Sequence, residues 1–249
     1  MRIAFLTTED PLYLPSFFEK VLDWCAVETL AVYAVPPLYR KETSLMAARK
    51  YLGTFGSGAF AGLAARVLAA KLRGNSISTV CRKRRVRYAT ISNVNSPQFL
   101  ESLRALAPDV LVSVSCPQVF KAPLINLPPR GILNIHGAIL PHYRGVMPSF
   151  WMLANGEKRA GVSIYFVNEK IDAGDLCAQR SFDVEPGECL DKFLRRSKAI
   201  AAELLLQVLT EMRLGEMDRS PLNLAEGSYY SWPDREAVAR FHAAGRSVW

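Results

Sequence analysis

Residues 2–35 read RIAFLTTEDPLYLPSFFEKVLDWCAVETLAVYAV. Arg2 to Leu6 is a compact apolar run that ends in the polar Thr7-Thr8-Glu9-Asp10. From Pro15 to Cys25, the residues Phe17, Val21, Leu22 and Cys25 share one helical face, and Pro15 stands near the start, where a proline is tolerated. Thr29 to Val35 is rich in β-branched and apolar residues and is closed by Pro36-Pro37. A strand, a helix and a second strand in that order begin a parallel sheet.

The alternation continues along the chain. Val86 to Ile91 predicts a strand. Ser96-Pro97 opens a helix carrying Phe99, Leu100, Leu103 and Leu106. Val110 to Ser115 predicts a buried strand, Ile132 to Ile135 a short one, and Gly161 to Val167 an alternating one. Leu190 to Leu214 predicts a long amphipathic helix with Phe193, Leu194, Ile200, Leu204, Leu205 and Leu209 inward. Asp234-Arg235-Glu236 starts a last helix through Val238 and Phe241. Residues 40–73 depart from this rhythm. Leu45 to Tyr51 and Ala59 to Leu72 read as two helices joined by the link Gly53-Thr54-Phe55-Gly56-Ser57-Gly58. That link lacks a P-loop lysine and does not follow a strand, so it reads as a connector.

The 249 residues are half hydrophobic, enough for one sizeable α/β core. The formal charge of +8 favours anionic partners, and the run Arg82 to Arg85 with Arg87 reads as a solvated helix end. The five cysteines form no C-x-x-C pair and none is matched with the three histidines, so neither a disulfide framework nor a metal site is expected. The first residues are too short an apolar run for a leader. The longest apolar stretch, Ala59 to Ala70, contains Arg66 and is shorter than the roughly 20 residues of a membrane span. A cytoplasmic protein with no membrane span is therefore expected.

The chemistry concentrates in Asn134-Ile135-His136. Side chains alternate along a strand, so Asn134 and His136 share a side, at the strand end where ligands bind in parallel sheets. An amide can donate to a developing oxyanion, and an imidazole can take a proton from an amine. Ile171-Asp172-Ala173-Gly174-Asp175 then places a carboxylate in a glycine-containing loop after a strand, where it can orient and charge an imidazole.

Taken in order, Asn134-Ile135-His136, Leu140-Pro141-x-Tyr143-Arg144-Gly145, Pro148-x-x-Trp151, Asn155-Gly156-Glu157, Gly161-Val162 and Ile171-Asp172-Ala173-Gly174-Asp175 resemble the folate-dependent formyltransferase family. The resemblance implies a doubly wound, mostly parallel, Rossmann-like α/β sheet. It implies a catalytic domain over 1–214, with 40–73 as a helical insertion, and a short C-terminal extension over 215–249. It implies N10-formyltetrahydrofolate as co-substrate and no metal. Asn134 would bind the formyl oxygen, His136 would be general base or proton relay, and Asp172 would orient His136 and shuttle protons. Pro117, Gln118, Val119 and Phe120 would hold the pterin, with Ile139, Leu140, Pro141, Lys170 and Ile171 as the other walls. Ala138 departs from the family, which often has serine there.

The acceptor is expected to be a small amine, foremost an amino-deoxysugar linked to a nucleoside diphosphate. Glu9 and Asp10 stand where the glycinamide ribonucleotide branch has a glycine-rich phosphate loop. About 35 residues after the long helix are too few for the nucleic-acid-binding barrel of the initiator-tRNA branch, so tRNA is admitted but not favoured. A hydroxyornithine-like amine, a non-catalytic folate- or nucleotide-binding relative, and a homodimer are also admitted.

Overall fold

All six residues of β1 (Ile3–Thr8) are buried, as a strand must be when helices cover both faces of its sheet. The computed structural model describes residues 1–36 and 44–249. Pro37 and residues 40–43 of the expected insertion lie outside the described residues. β1 pairs in parallel with β2 (Thr29–Val35), and β2 with β3 (Arg87–Thr90). On its other side β1 pairs in parallel with β4 (Val110–Val114), and β4 with β5 (Ile132–His136). Two antiparallel strands, β7 (Arg159–Phe166) and β8 (Leu176–Asp183), complete the order β3-β2-β1-β4-β5-β7-β8. The expected mostly parallel α/β sheet is present. A two-strand ribbon pairs β6 (Arg144–Gly145) with β9 (Tyr229–Tyr230).

Residue parity sorts the two faces of the sheet. Phe5, Val110, Val112 and Val114 pack with α1 (Leu14–Cys25), α3 (Ile77–Lys83) and α7 (Leu190–Leu214). Ala4, Leu6 and Leu111 pack with Phe99, Leu100 and Leu103 of α4 (Pro97–Leu106) and Leu124 of α5 (Ala122–Ile125). The winding runs outward from β1 to β3, and α4 then carries the chain back to β4. The reversal between β1 and β4 opens a crevice at the carboxyl ends of the strands.

A third cluster joins Phe55 of α2 (Ser44–Leu72), Phe150 of α6 (Pro148–Ala154), Phe193 of α7 and Phe241 of α8 (Arg235–Ala243). Phe150 is its centre: it meets Phe55 edge-on at 5.6 Å and stacks on Phe241 at 5.0 Å. The helix starts follow the sequence, since Ser96 Oγ accepts from Phe99 N at 3.3 Å and Asp234 Oδ1 from Ala237 N at 2.7 Å. Arg82 and Lys83 end α3 in the exposed last turn, as expected of the basic run.

Two elements differ from the expectation. The glycine-rich link is not a loop: α2 continues through it and breaks at Gly56 alone, whose φ of 83° and ψ of 170° only glycine adopts without strain. β8 was not foreseen, because its half-exposed, largely polar face lacks the apolar alternation of β7. The Pro148-x-x-Trp151 motif is the buried helix α6, with Pro148 at its first turn. Replacing Phe150 with Ala should cost about 3–5 kcal/mol, the usual range for emptying a buried aromatic site. Urea unfolding checks this, and a loss under about 1 kcal/mol would mean that α2 and α8 do not depend on this ring.

Candidate active site

The antiparallel pairing of β5 with β7 sets Asn134 opposite Tyr165. Asn134 Nδ2 donates to the Tyr165 hydroxyl at 2.9 Å, and that hydroxyl donates to Asp172 Oδ1 at 2.7 Å. Asp172 Oδ2 accepts from the Gly145 N–H at 2.7 Å and lies 3.7 Å from His136 Nδ1. His136 Nε2 is 2.8 Å from the Tyr143 carbonyl oxygen. A carbonyl only accepts, so Nε2 carries a proton. In the neutral ring Nδ1 is then the nitrogen with the lone pair, and it faces the Asp172 carboxylate. Desolvation, reinforced by the Asp172 charge, pushes the Tyr165 hydroxyl far above its ordinary pKa, so it stays a donor.

The backbone around this chain of groups is under constraint. Asp172, Ser115, Tyr143 and Met147 all have positive φ, between 48° and 56°, which is costly for residues with a Cβ. Gly145 has φ 96°, and a Cβ there would overlap the Tyr230 carbonyl oxygen. A Cβ on Gly174 would overlap the Phe166 carbonyl oxygen. Gly145 therefore lets β6 close on β9, and Gly174 lets the loop bearing Asp172 close on the end of β7.

Beside Asn134, Tyr165 and Asp172 lies a cavity of about 350 Å³. Its walls include Pro117, Gln118, Val119 and Phe120 on one side and Lys170 and Ile171 on the other. Gln118 uses its side chain to hold the fold, accepting from Val94 N at 2.9 Å and donating to Ser92 O at 2.8 Å. Val119 and Ile171 expose apolar surface at the rim. Ile139, Leu140 and Pro141, expected as further walls, do not line this cavity. Ser163 Oγ accepts from Leu140 N at 3.0 Å, which draws that stretch onto β7 and buries Leu140. His136 is also off the cavity wall. It is buried behind Asp172 and reaches the cavity through that carboxylate.

Two groups escaped the sequence reading. Tyr165 lies 31 residues from Asn134, and one strand tyrosine looks like any other until the register is known. Lys198 on α7 donates to Ser115 Oγ at 2.8 Å, at the carboxyl end of β4 in the crevice beside β1. Asp10 faces it and accepts from Leu12 N at 2.8 Å and Tyr13 N at 3.3 Å. Burial pushes the Lys198 ammonium down in pKa and the Asp10 carboxyl up, and their mutual attraction opposes both shifts. Glu9 accepts from the Tyr88 hydroxyl at 2.6 Å. Both acids after β1 thus have internal partners. Arg144, next to Gly145, keeps its buried Nε without a hydrogen-bond partner.

The remaining candidates separate cleanly. His142 is exposed on a different recess with Tyr143, Glu157 and Tyr230. His242 sits at the end of α8 with Nδ1 3.1 Å from Arg246 O, a structural contact. Burial pushes the thiols of Cys116 and Cys177 up to about 11 and about 12, so neither is a thiolate nucleophile at neutral pH. From the tail, Tyr230 stacks on Tyr143 at 5.1 Å, and Tyr229 lines the cavity.

The profile of a family described as Formyl transferase matches residues 62–209. Methionyl-tRNA formyltransferase of Thermotoga sp. (strain RQ2) is 30% identical over 159 residues, which are 64% of this chain and 51% of that protein. The chain spans about half the length of the curated relatives it matches. The fold is similar to that of a sugar N-formyltransferase from Shewanella sp FDAARGOS_354, with TM-score 0.64 and 18% identity over 98% of this chain and 86% of that one. It is also similar to an N-formyltransferase from Helicobacter canadensis in complex with folinic acid and dTDP-3-aminofucose. There the TM-score is 0.62, with 14% identity over 93% of this chain and 71% of that one.

Tyr165→Phe removes the one hydroxyl that joins Asn134 to Asp172 and leaves both short of a partner. The expected loss of stability is about 1–3 kcal/mol, measured by chemical denaturation. A neutral result would mean that the chain of hydrogen bonds does not hold the site together.

Proposed function

The chain belongs to the formyl transferase family, and on that premise we propose that it moves a formyl group from N10-formyltetrahydrofolate to a primary amine on a nucleotide-linked amino-deoxysugar. The observation that carries the reading is the connected set Asn134, Tyr165, Asp172 and His136 at the end of an apolar-walled cavity. Formyl-folate supplies the activated formyl carbon. The residues present suit it: Pro117, Val119, Phe120 and Ile171 offer apolar walls for a flat ring, and the 115–120 loop offers backbone groups for its edge.

The chain's own groups then divide the chemistry. The amine nitrogen forms a bond to the formyl carbon, the bond from that carbon to the folate nitrogen breaks, and the proton lost by the amine ends on the folate nitrogen as it leaves. Asn134 has two amide N–H groups. One is spent on Tyr165, and the second is available for the oxygen on which negative charge grows. Asp172, on the cavity wall, takes the amine proton and balances the imidazolium charge when that proton moves on to His136. His136, 3.7 Å behind it, stores the proton on Nδ1, which makes it a relay. The Tyr143 carbonyl fixes the tautomer that leaves Nδ1 free.

Lys198 is the acceptor-side group in this reading. Ser113 pairs with Asn134 across β4 and β5, and Ser115, two residues on, holds the Lys198 ammonium. A desolvated cation in the crevice next to the reacting centre suits a pyrophosphate. The sugar acceptor is also supported by the Shewanella and Helicobacter canadensis proteins, whose similarity extends over most of this chain. The second reading, formylation of methionyl-tRNA, is favoured by the names of the relatives that match over half their length. We assign the catalytic unit to residues 1–214, with 215–249 as an extension. The pairing of β9 with β6 and the position of Tyr229 on the cavity support a role for the extension in closing the site.

Turnover with formyl-folate and a panel of nucleotide-linked amino sugars, charged initiator tRNA and small amines tests the reading. His136→Ala should lose about 10²–10⁴ in rate and Asn134→Ala about 10²–10³, with losses that do not multiply in the double variant. Full activity of His136→Ala would overturn the mechanism. Folate binding without turnover of any acceptor would leave a binding protein instead.

Lys198→Ala should raise KM for the sugar nucleotide by roughly 10–100-fold, the worth of one charge-assisted hydrogen bond, with KM for formyl-folate nearly unchanged. An equal rise in both would assign Lys198 to the scaffold.

A further inference from the structure

The chain's positive charge is concentrated in one place. Between Glu42 and Glu101 the sequence has ten Lys and Arg and no acidic residue. These ten exceed the formal charge of +8, so the rest of the chain is net negative. Arg49, Lys50, Arg66 and Lys71 lie on α2, and Arg73 just after it. Arg82 and Lys83 end α3, and Arg84, Arg85 and Arg87 follow.

The same segment exposes apolar surface that a solvated helix would not. After the break at Gly56, the outward stripe of α2 is Ala61, Ala65, Leu68 and Leu72, at the spacing of one helical face. Leu68 is 58% exposed and Leu72 80%. Before the break, Leu45, Met46 and Leu52 are 60%, 53% and 41% exposed. The inward residues are apolar as well: Phe55 and Ala70 are buried, and Leu63 and Val67 are half-buried. The helix is thus apolar on both sides with cations along its flanks. The span Leu45–Lys83 is long and apolar enough to cross a membrane by length and composition, yet only 6% of its most apolar window is buried in the protein. It is not built as a span here. Gly56 breaks it, and its inner face is held by Phe55 on Phe150, by the Trp232 indole N–H on Thr54 Oγ1 at 2.9 Å, and by the Trp249 indole N–H on Ala59 O at 3.1 Å.

We propose that the outward face of α2, with the basic residues from Arg49 to Arg87, docks in the plane of an anionic lipid surface. The chemistry selects this partner. Acyl chains cover Leu45, Met46, Leu52, Leu68 and Leu72, while lipid phosphates meet the surrounding cations, the pattern of an interfacial helix. A nucleic acid would match the charge but leave the leucines in water. A second copy of this chain meeting the same face across a two-fold axis would set cation against cation. Beside the face, a recess of about 520 Å³ is lined by Arg66, Arg73, Lys83 and Arg195, with Glu19 as its one carboxylate. It offers lipid headgroups a concave cationic surface. Arg195 is already paired with Asp191 and Arg66 lies over the Trp249 ring, so Arg73 and Lys83 are the ones to expect foremost at the lipid.

Flotation of the full chain with phosphatidylcholine vesicles, with and without about one third phosphatidylglycerol, tests the proposal. The chain should float with the anionic vesicles only. Salt near 1 M, where the Debye length falls to about 3 Å, should release most of it. Leu68→Glu/Leu72→Glu should bind at least about tenfold more weakly, since it removes the apolar contact and adds like charge to the lipid. Both positions are exposed, and an unchanged thermal melt verifies folding. Arg82→Glu/Lys83→Glu, away from α2, should also weaken binding. The proposal is overturned if the chain stays unbound with anionic vesicles at low salt, binds neutral vesicles equally, or floats undiminished as the Leu68/Leu72 variant. It is equally overturned if that variant instead dissolves a dimer, or if tRNA binds through this face in place of the vesicles.

Discussion

The Asp172 carboxylate is the joint on which the site depends. Its two oxygens reach three separate pieces of the chain: the hydroxyl of Tyr165 on β7, the N–H of Gly145 on β6, and the imidazole of His136 on β5. A buried carboxylate needs donors, because leaving one unsatisfied costs its desolvation energy. Satisfying it forces β6, β7 and the 168–175 loop into one arrangement, with His136 of β5 packed against the carboxylate. Asn134 comes along through Tyr165. The geometry of the candidate site and its local stability thus rest on the same set of hydrogen bonds.

That arrangement is held against backbone preference. Three of the positive-φ residues with side chains, Ser115, Tyr143 and Asp172, lie near the candidate site, and a fourth, Met147, opens α6. Each such residue costs of order 1–3 kcal/mol. The other two, Arg85 and Ala107, follow helices α3 and α4, where a left-handed residue commonly closes the last turn. Among the described residues, the positive-φ side chains away from helix ends are Ser115, Tyr143 and Asp172, all near the candidate site. Their strain is countered by the Asp172 donors, by Tyr230 stacked on Tyr143, and by Trp151 Nε1 donating to Ser231 O. The tail residues around Tyr229 do part of this work from a strand that pairs directly with β6.

The sheet was legible in the sequence where burial imposes a simple rule. A strand covered on both faces is a continuous apolar run, which is why β1, β2 and β4 could be read directly. Helices with polar caps announced themselves at Ser96 and Asp234. β8 was not legible, because an edge strand with one wet face carries no such run. Of the residues that meet at the candidate site, Asn134, His136 and Asp172 were singled out from spacing and resemblance. Tyr165 was not, because its role follows from the register of an antiparallel pair and not from any local pattern. Ile139, Leu140 and Pro141, read as further walls, lie off the cavity for a related reason. Ser163 and Gln179, on β7 and β8, bond the backbone of that stretch from across the sheet. His136 was taken as facing substrate because it shares a strand side with Asn134. Parity fixes the side, but Asp172 fills the space in front of the imidazole.

Parity also fails on α2, and there the failure is informative. A helix packed against a domain is ordinarily apolar on one stripe and polar on the other. In α2 the inner stripe is used by Phe55 and Ala70, and the outer one repeats the apolar pattern with Ala61, Ala65, Leu68 and Leu72. Intramolecular packing explains the first stripe only. The tryptophans that hold α2, Trp232 and Trp249, come from the C-terminal segment that also supplies Tyr229 and Tyr230 to the site. One segment therefore fixes both the helix and the rim of the cavity. A surface that engages the outer stripe of α2 would set the orientation of the cavity beside Asp172 relative to that surface.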